Sequence, residues 1–191
     1  VNGIAKAMTK VFWGMLLVFL SFKINHFDLL PDFIGYFIVA SAMNDLVSFS
    51  HTFSKAKKVA IILAIVSIPA MFMREISLSE GFEPSSDVFT LLLGSTAIQL
   101  LALIFIYFLF QGLIELASKY HFNELAKKTK KILTACIIID LLVLSLTPFS
   151  MNLPGTDFFL FIIIGIITSF IVSIVILVLF RTYRKQFLSI E

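Results

Sequence analysis

The chain has 191 residues, 59% of them hydrophobic and only 14% charged, with a net charge of +3. A soluble domain is about 45–50% apolar and about 25% charged, so one water-soluble core cannot hide this much apolar surface, and a bilayer is the solvent that suits it. The single cysteine, Cys136, excludes an internal disulfide and any thiol pair.

Taken in chain order, the apolar runs predict an all-α polytopic membrane protein. It is one integral membrane domain over residues 1–191, a six-helix transmembrane bundle with short loops. The first span covers about 4–24. It is flecked with Lys6 and Lys10, and its firmly apolar part is VFWGMLLVFLSF. Lysines ahead of an apolar run resemble a signal peptide, but no small-residue cleavage site follows, so the run reads as a retained span.

The stretch KINHFDLLPDFIGYF then breaks the apolar pattern with His26, Asp28, Pro31 and Asp32. Pro31 and Asp32 suit a helix start: proline loses nothing in the first turn, and a carboxylate complements the positive end of the helix dipole. Asp28 is a candidate cap. The same three side chains, His26, Asp28 and Asp32, are candidates for the mouth of a ligand cavity, though their spacing matches no standard metal motif. Gly35 suits a close helix approach and Tyr36 an interfacial anchor.

The second span covers about 31–48, the third about 58–73 with Pro69 near its outer end, and the fourth about 88–117. An acidic, turn-rich outer loop, REISLSEGFEPSSD, separates the third from the fourth. The inner loop SKYHFNELAKKTKK, which suits a helix along the membrane surface, leads to the fifth span at about 132–147. The sixth, at about 158–180, has no charge at all; at 1.5 Å per residue it is about 35 Å long, enough for a hydrocarbon layer of about 30 Å.

All basic residues except Lys23 and Arg74 fall before span one, between spans two and three, between four and five, or after span six. Acidic residues dominate the other loops. The positive-inside rule therefore places both ends in the cytoplasm, and a bacterial plasma membrane is the expected home. The basic loops can meet anionic lipid or dock a cytoplasmic partner, and nucleic acid is not expected.

Polar residues at depth are the candidates for function, because an aspartate at a helix centre costs roughly 2.5–3.5 kcal/mol. Asp140 lies in the middle of span five, Gln99 near the middle of span four, and Thr168, Ser169 and Ser173 near the middle of span six. These five are expected to face inward at similar depth as a small-molecule pocket. The competing expectation is a packing hydrogen bond from Asp140 to Thr134, Gln99 or a span-six hydroxyl.

The sequence contains no H-E-x-x-H, no G-x-S-x-G, no C-x-x-C, no P-loop and no dinucleotide glycine pattern. Neither catalysis nor a cofactor or metal is expected. Six spans, minimal loops and cytoplasmic ends resemble, in outline, the substrate-binding S-components of energy-coupling-factor vitamin transporters. That resemblance implies a ligand entering from outside and other membrane subunits supplying the energy. The small-residue A-x-x-x-A pattern of such subunits is not evident, since IAKAM spaces Ala5 and Ala7 differently. The expected function is a binding or transport subunit with an outward-facing pocket; the alternative is a non-catalytic accessory or regulatory membrane protein within a larger complex.

Overall fold

The computed structural model of the chain describes residues 2–20, 23–24, 27–28, 32–70, 86–150 and 155–189. It is all-helical apart from one minimal ladder. The helices are α1 (Asn2–Phe19), α2 (Asp32–Leu46), α3 (Thr52–Ala70), α4 (Ser86–Lys119), α5 (Asn123–Ser150) and α6 (Gly155–Leu188), and two short strands, β1 (Lys23–Ile24) and β2 (Phe27–Asp28), lie between α1 and α2.

The helices pack in chain order as a ring. Each touches its neighbours in sequence, and α6 closes on α1, with α5 and α6 the most thinly joined pair. Paired residues show the alternation of direction. Lys10 meets Asp45 while Gly14 meets Gly35, so α1 and α2 are antiparallel. Thr52 bonds to Glu115 while Lys55 lies over the Phe108 ring, so α3 and α4 are too. Alternation brings the start of α1, the α2–α3 connection, the α4–α5 connection and the end of α6 to one end of the bundle, which is therefore the lysine-rich end.

The core sits at that end. Met8, Val11, Met43, Leu46, Phe53, Leu109, Phe110, Leu113, Phe180 and Phe187 are all fully or almost fully buried. Gly14 and Gly35 are where α1 and α2 touch backbone to backbone: a Cβ on Gly35 would lie 2.6 Å from the Gly14 carbonyl oxygen. At Gly112 the missing side chain makes room for the Phe53 ring. Buried polar atoms are paired across helices. The Tyr183 hydroxyl donates to the Leu113 carbonyl oxygen at 3.0 Å and lies 2.8 Å from the Thr129 hydroxyl, which donates to it, and this joins α4, α5 and α6. The α4–α5 corner is a helix stop with His121 in the left-handed region (φ 61°), closed by Phe122 N–H to the Ala117 carbonyl.

The other half of α4, α5 and α6 is different. Its apolar side chains stand exposed, including Leu141, Leu142, Phe159, Ile163, Ile166 and Phe170. Two stretches, Leu93–Lys119 and Phe159–Leu188, are long and apolar enough to cross a membrane, and only 28% and 11% of their most apolar 18-residue windows are buried. A core helix of a soluble protein would be mostly buried. Among the described residues these two stretches are the ones that meet that test of length and apolarity.

Several expected boundaries move. The first helix stops at Phe19 rather than at residue 24, and the chain enters an antiparallel ladder pairing Lys23 with Asp28 and Ile24 with Phe27. The alternation Phe22-Lys23-Ile24-Asn25 is a period-two pattern that a count of apolar residues overlooks. Helix α3 starts at Thr52, not 58, and α5 at Asn123, not 132, because the lysine-rich inner segments continue the helices they lead into. Tyr36 is no interfacial anchor: it is buried, edge-on to Phe105 at 6.0 Å.

Candidate functional site

Helices supply the site three residues or four apart, so each contributes one stripe. On α4 the stripe is Gln99, Ala102, Leu103 and Ile106; on α5 it is Ile139, Asp140 and Val143; on α6 it runs from Gly165 through Thr168, Ser169, Val172 and Ser173 to Ile176. Together with Phe19 from the end of α1 they line one cleft of about 280 Å³. It lies where the packed half of the bundle gives way to the exposed half, between the thinly joined α5 and α6 and the facing side of α4. Gln99 stands about 20 Å along α4 from Ser86 and about 30 Å from Lys119, at 1.5 Å per residue, so the cleft is nearer the end opposite the lysines.

The five polar residues expected at depth therefore share a single cleft. Ser173 Oγ donates to the Ser169 carbonyl oxygen at 2.8 Å, which holds its hydroxyl oxygen in place as an acceptor. Among the described residues no hydrogen bond or ion pair engages the Asp140 carboxylate or the Gln99 amide. The expected alternative, a packing bond from Asp140 to Thr134, Gln99 or a hydroxyl of α6, is not seen among the described residues; Thr134 bonds back to the Lys130 carbonyl at 3.1 Å. One acceptor carboxylate, one amide and three hydroxyls thus line a space whose other walls are apolar, aliphatic except for Phe19.

The second group of candidates is not brought to this cleft. Asp32 lies in the first turn of α2, beside Tyr36. Asp28 pairs through its backbone in β2, with its side chain outside the described residues, as are His26, Pro31 and the acidic segment 71–85. Asn44, Asp45 and Glu115 pair at the lysine-rich end. Lys57 donates to Asn44 at 2.8 Å, Lys10 meets Asp45 at 2.7 Å, and Glu115 accepts from Thr52 and Ser50. Among the described residues no group of three His, Cys, Asp or Glu stands together as a metal-ligand set.

Sequence reasoning missed Phe19 and Gly165. Phe19 lies at the end of α1, and nothing local in the sequence signals that it lines this cleft. Gly165 was legible: with Thr168, Ser169, Val172 and Ser173 it makes a stripe of smaller residues on an otherwise bulky helix. No protein-family model matches this chain, and neither a curated protein nor a solved structure is detectably similar to it.

Proposed function

We propose that this protein is a six-span integral membrane protein of a bacterial plasma membrane, with its lysine-rich end in the cytoplasm, and that it binds a small molecule in the α4–α5–α6 cleft as the recognition part of a transport or uptake system. The observation that carries this is the convergence of five polar groups, with Asp140 and Gln99 unengaged among the described residues, on an otherwise apolar cleft of about 280 Å³, just under the range of about 300–1,000 Å³ usual for ligand sites. An intramembrane carboxylate is costly, and function is the common reason one is kept.

Two further observations support the membrane setting. Helices α4 and α6 expose their apolar length rather than burying it. The antiparallel order also gathers every basic residue but Lys23 and Arg74 at or near one end. Helices α1, α2, α3 and α5 would cross as members of the bundle, shielded by their neighbours. The cleft suits a ligand with one cationic or hydrogen-bond-donating group for Asp140, a polar edge for Gln99 and the α6 hydroxyls, and an apolar remainder. The chain offers no nucleotide-binding pattern, so uphill movement would need a partner subunit.

The test is ligand-dependent thermal stabilisation of the purified protein in nanodiscs, against a panel of small amines and neutral donor-rich solutes. At least one compound should stabilise the wild type and bind Asp140→Asn about tenfold or more weakly, the usual scale for a charge-assisted hydrogen bond. A panel that leaves both proteins unmoved, with nothing co-purifying by native mass spectrometry, would favour the accessory role instead.

A further inference from the structure

A second recess lies at the opposite end of the bundle, between α1 and α6. It has a volume of about 70 Å³, room for about two waters and so for one phosphate group, but not for a nucleotide. Arg181 and Arg184, one turn apart on α6, both line it, beside Thr9, Phe12 and Trp13 of α1. No carboxylate lines it. The described acids that end in this half are engaged elsewhere: Asp45 with Lys10, Glu115 with Thr52 and Ser50, Glu124 with Lys127. Arg181 is held over the face of Phe12, 4.7 Å from the ring centroid, which fixes the guanidinium without neutralising it.

The surroundings indicate what kind of phosphate. Ile174, Val178, Arg181 and Lys185 follow one another along a single exposed stripe of α6, apolar first and then cationic. Trp13, 55% exposed, stands on the neighbouring helix at the same level. Apolar side chains below, a tryptophan at the boundary and arginines above reproduce the depth profile of a bilayer leaflet. Guanidinium groups are also the donors whose fork matches phosphate oxygens.

We propose that the Arg181–Arg184 recess binds the headgroup phosphate of an anionic phospholipid in the leaflet that faces the lysine-rich end, with the acyl chains lying along Val178 and Ile174. This rests on the membrane setting proposed above but not on the ligand cleft.

Trp13 is the only tryptophan in the chain, so its fluorescence reports this recess alone. The full-length protein is first tested for resistance to alkaline carbonate extraction from membranes; release would overturn the membrane setting itself. The retained protein is then placed in nanodiscs containing chain-brominated phosphatidylglycerol or chain-brominated phosphatidylcholine at equal mole fraction. The phosphatidylglycerol should quench Trp13 more strongly. Arg181→Gln/Arg184→Gln should lose that preference by about tenfold, and the single Arg184→Gln, which keeps the Arg181–Phe12 contact, by a smaller factor. Lys127→Gln/Lys128→Gln removes the same charge from α5 and should keep it. Equal quenching by the two lipids would overturn the proposal, as would equal loss in the α5 control, which would reduce the arginines to topology signals. Loss of the preference on adding excess inorganic phosphate would also overturn it, in favour of a free-phosphate site.

Discussion

Asp140 illustrates how one residue can be read for stability and for function at once. Its carboxylate has no partner among the described residues and, in the membrane setting proposed above, sits where such a group is expensive. Asp140→Leu is therefore expected to raise the melting temperature of the ligand-free protein in detergent while abolishing ligand stabilisation; a fall would show that the carboxylate holds the helices together. The glycines separate in a similar way. Ala at Gly35 would press its Cβ to 2.6 Å from a backbone oxygen that cannot move without shifting α1, so Gly35→Ala should cost about 1–3 kcal/mol in a reversible unfolding measurement. Gly94 has nothing within 4 Å of the same construction, and Gly94→Ala should be neutral or gain up to about 1 kcal/mol from helix propensity. From sequence alone Gly35 suits a close helix approach, and the crossing of α1 on α2 shows that it makes one while Gly94 does not.

Helices are held in register by a few polar links at the lysine-rich end. The most consequential is the Tyr183 hydroxyl, which reaches both Thr129 on α5 and the Leu113 carbonyl on α4. In Tyr183→Phe the Thr129 hydroxyl can donate to the Leu125 carbonyl oxygen 2.7 Å away, so no donor is orphaned, and the expected loss is about 0.5–1.5 kcal/mol, read as a lower denaturation midpoint. Asp45→Asn, by contrast, breaks a pair whose side chains are both well exposed, and the midpoint should move by less than about 1 kcal/mol. Element identity was legible because apolar runs and helix-permissive residues agree over long windows. Element ends were less so. The lysines of α3 and α5 read as loop when charge is taken as the boundary signal, yet lysine is a good helix former and continues the helix into water.

At the scale of the molecule the two halves differ in kind. Fully buried side chains cluster at the lysine-rich end, while the far halves of α4, α5 and α6 have apolar surface exposed and α5 barely joined to α6. Hydrogen exchange of 138–146 and 159–170 should fall on ligand binding if the cleft closes around the ligand, while 105–117 and 176–187 hold steady. A uniform fall along α6 would argue against a site that assembles at the end of a rigid half.

The sequence by itself determined the all-helical class, the number and rough position of the helices, the gathering of basic residues at one end, and how far along their helices the five polar residues of the cleft lie. These follow from local hydropathy and from counting at a fixed rise per residue, which need no knowledge of neighbours. The tertiary structure decided that those five residues line the same space, that Phe19 lines it too, that Gly14 meets Gly35, and that Arg181 and Arg184 share a recess with Trp13. Each of these depends on the rotation of one helix against another. In a helix that is apolar all the way round, as α6 nearly is, hydropathy carries no information about rotation, and only packing supplies it.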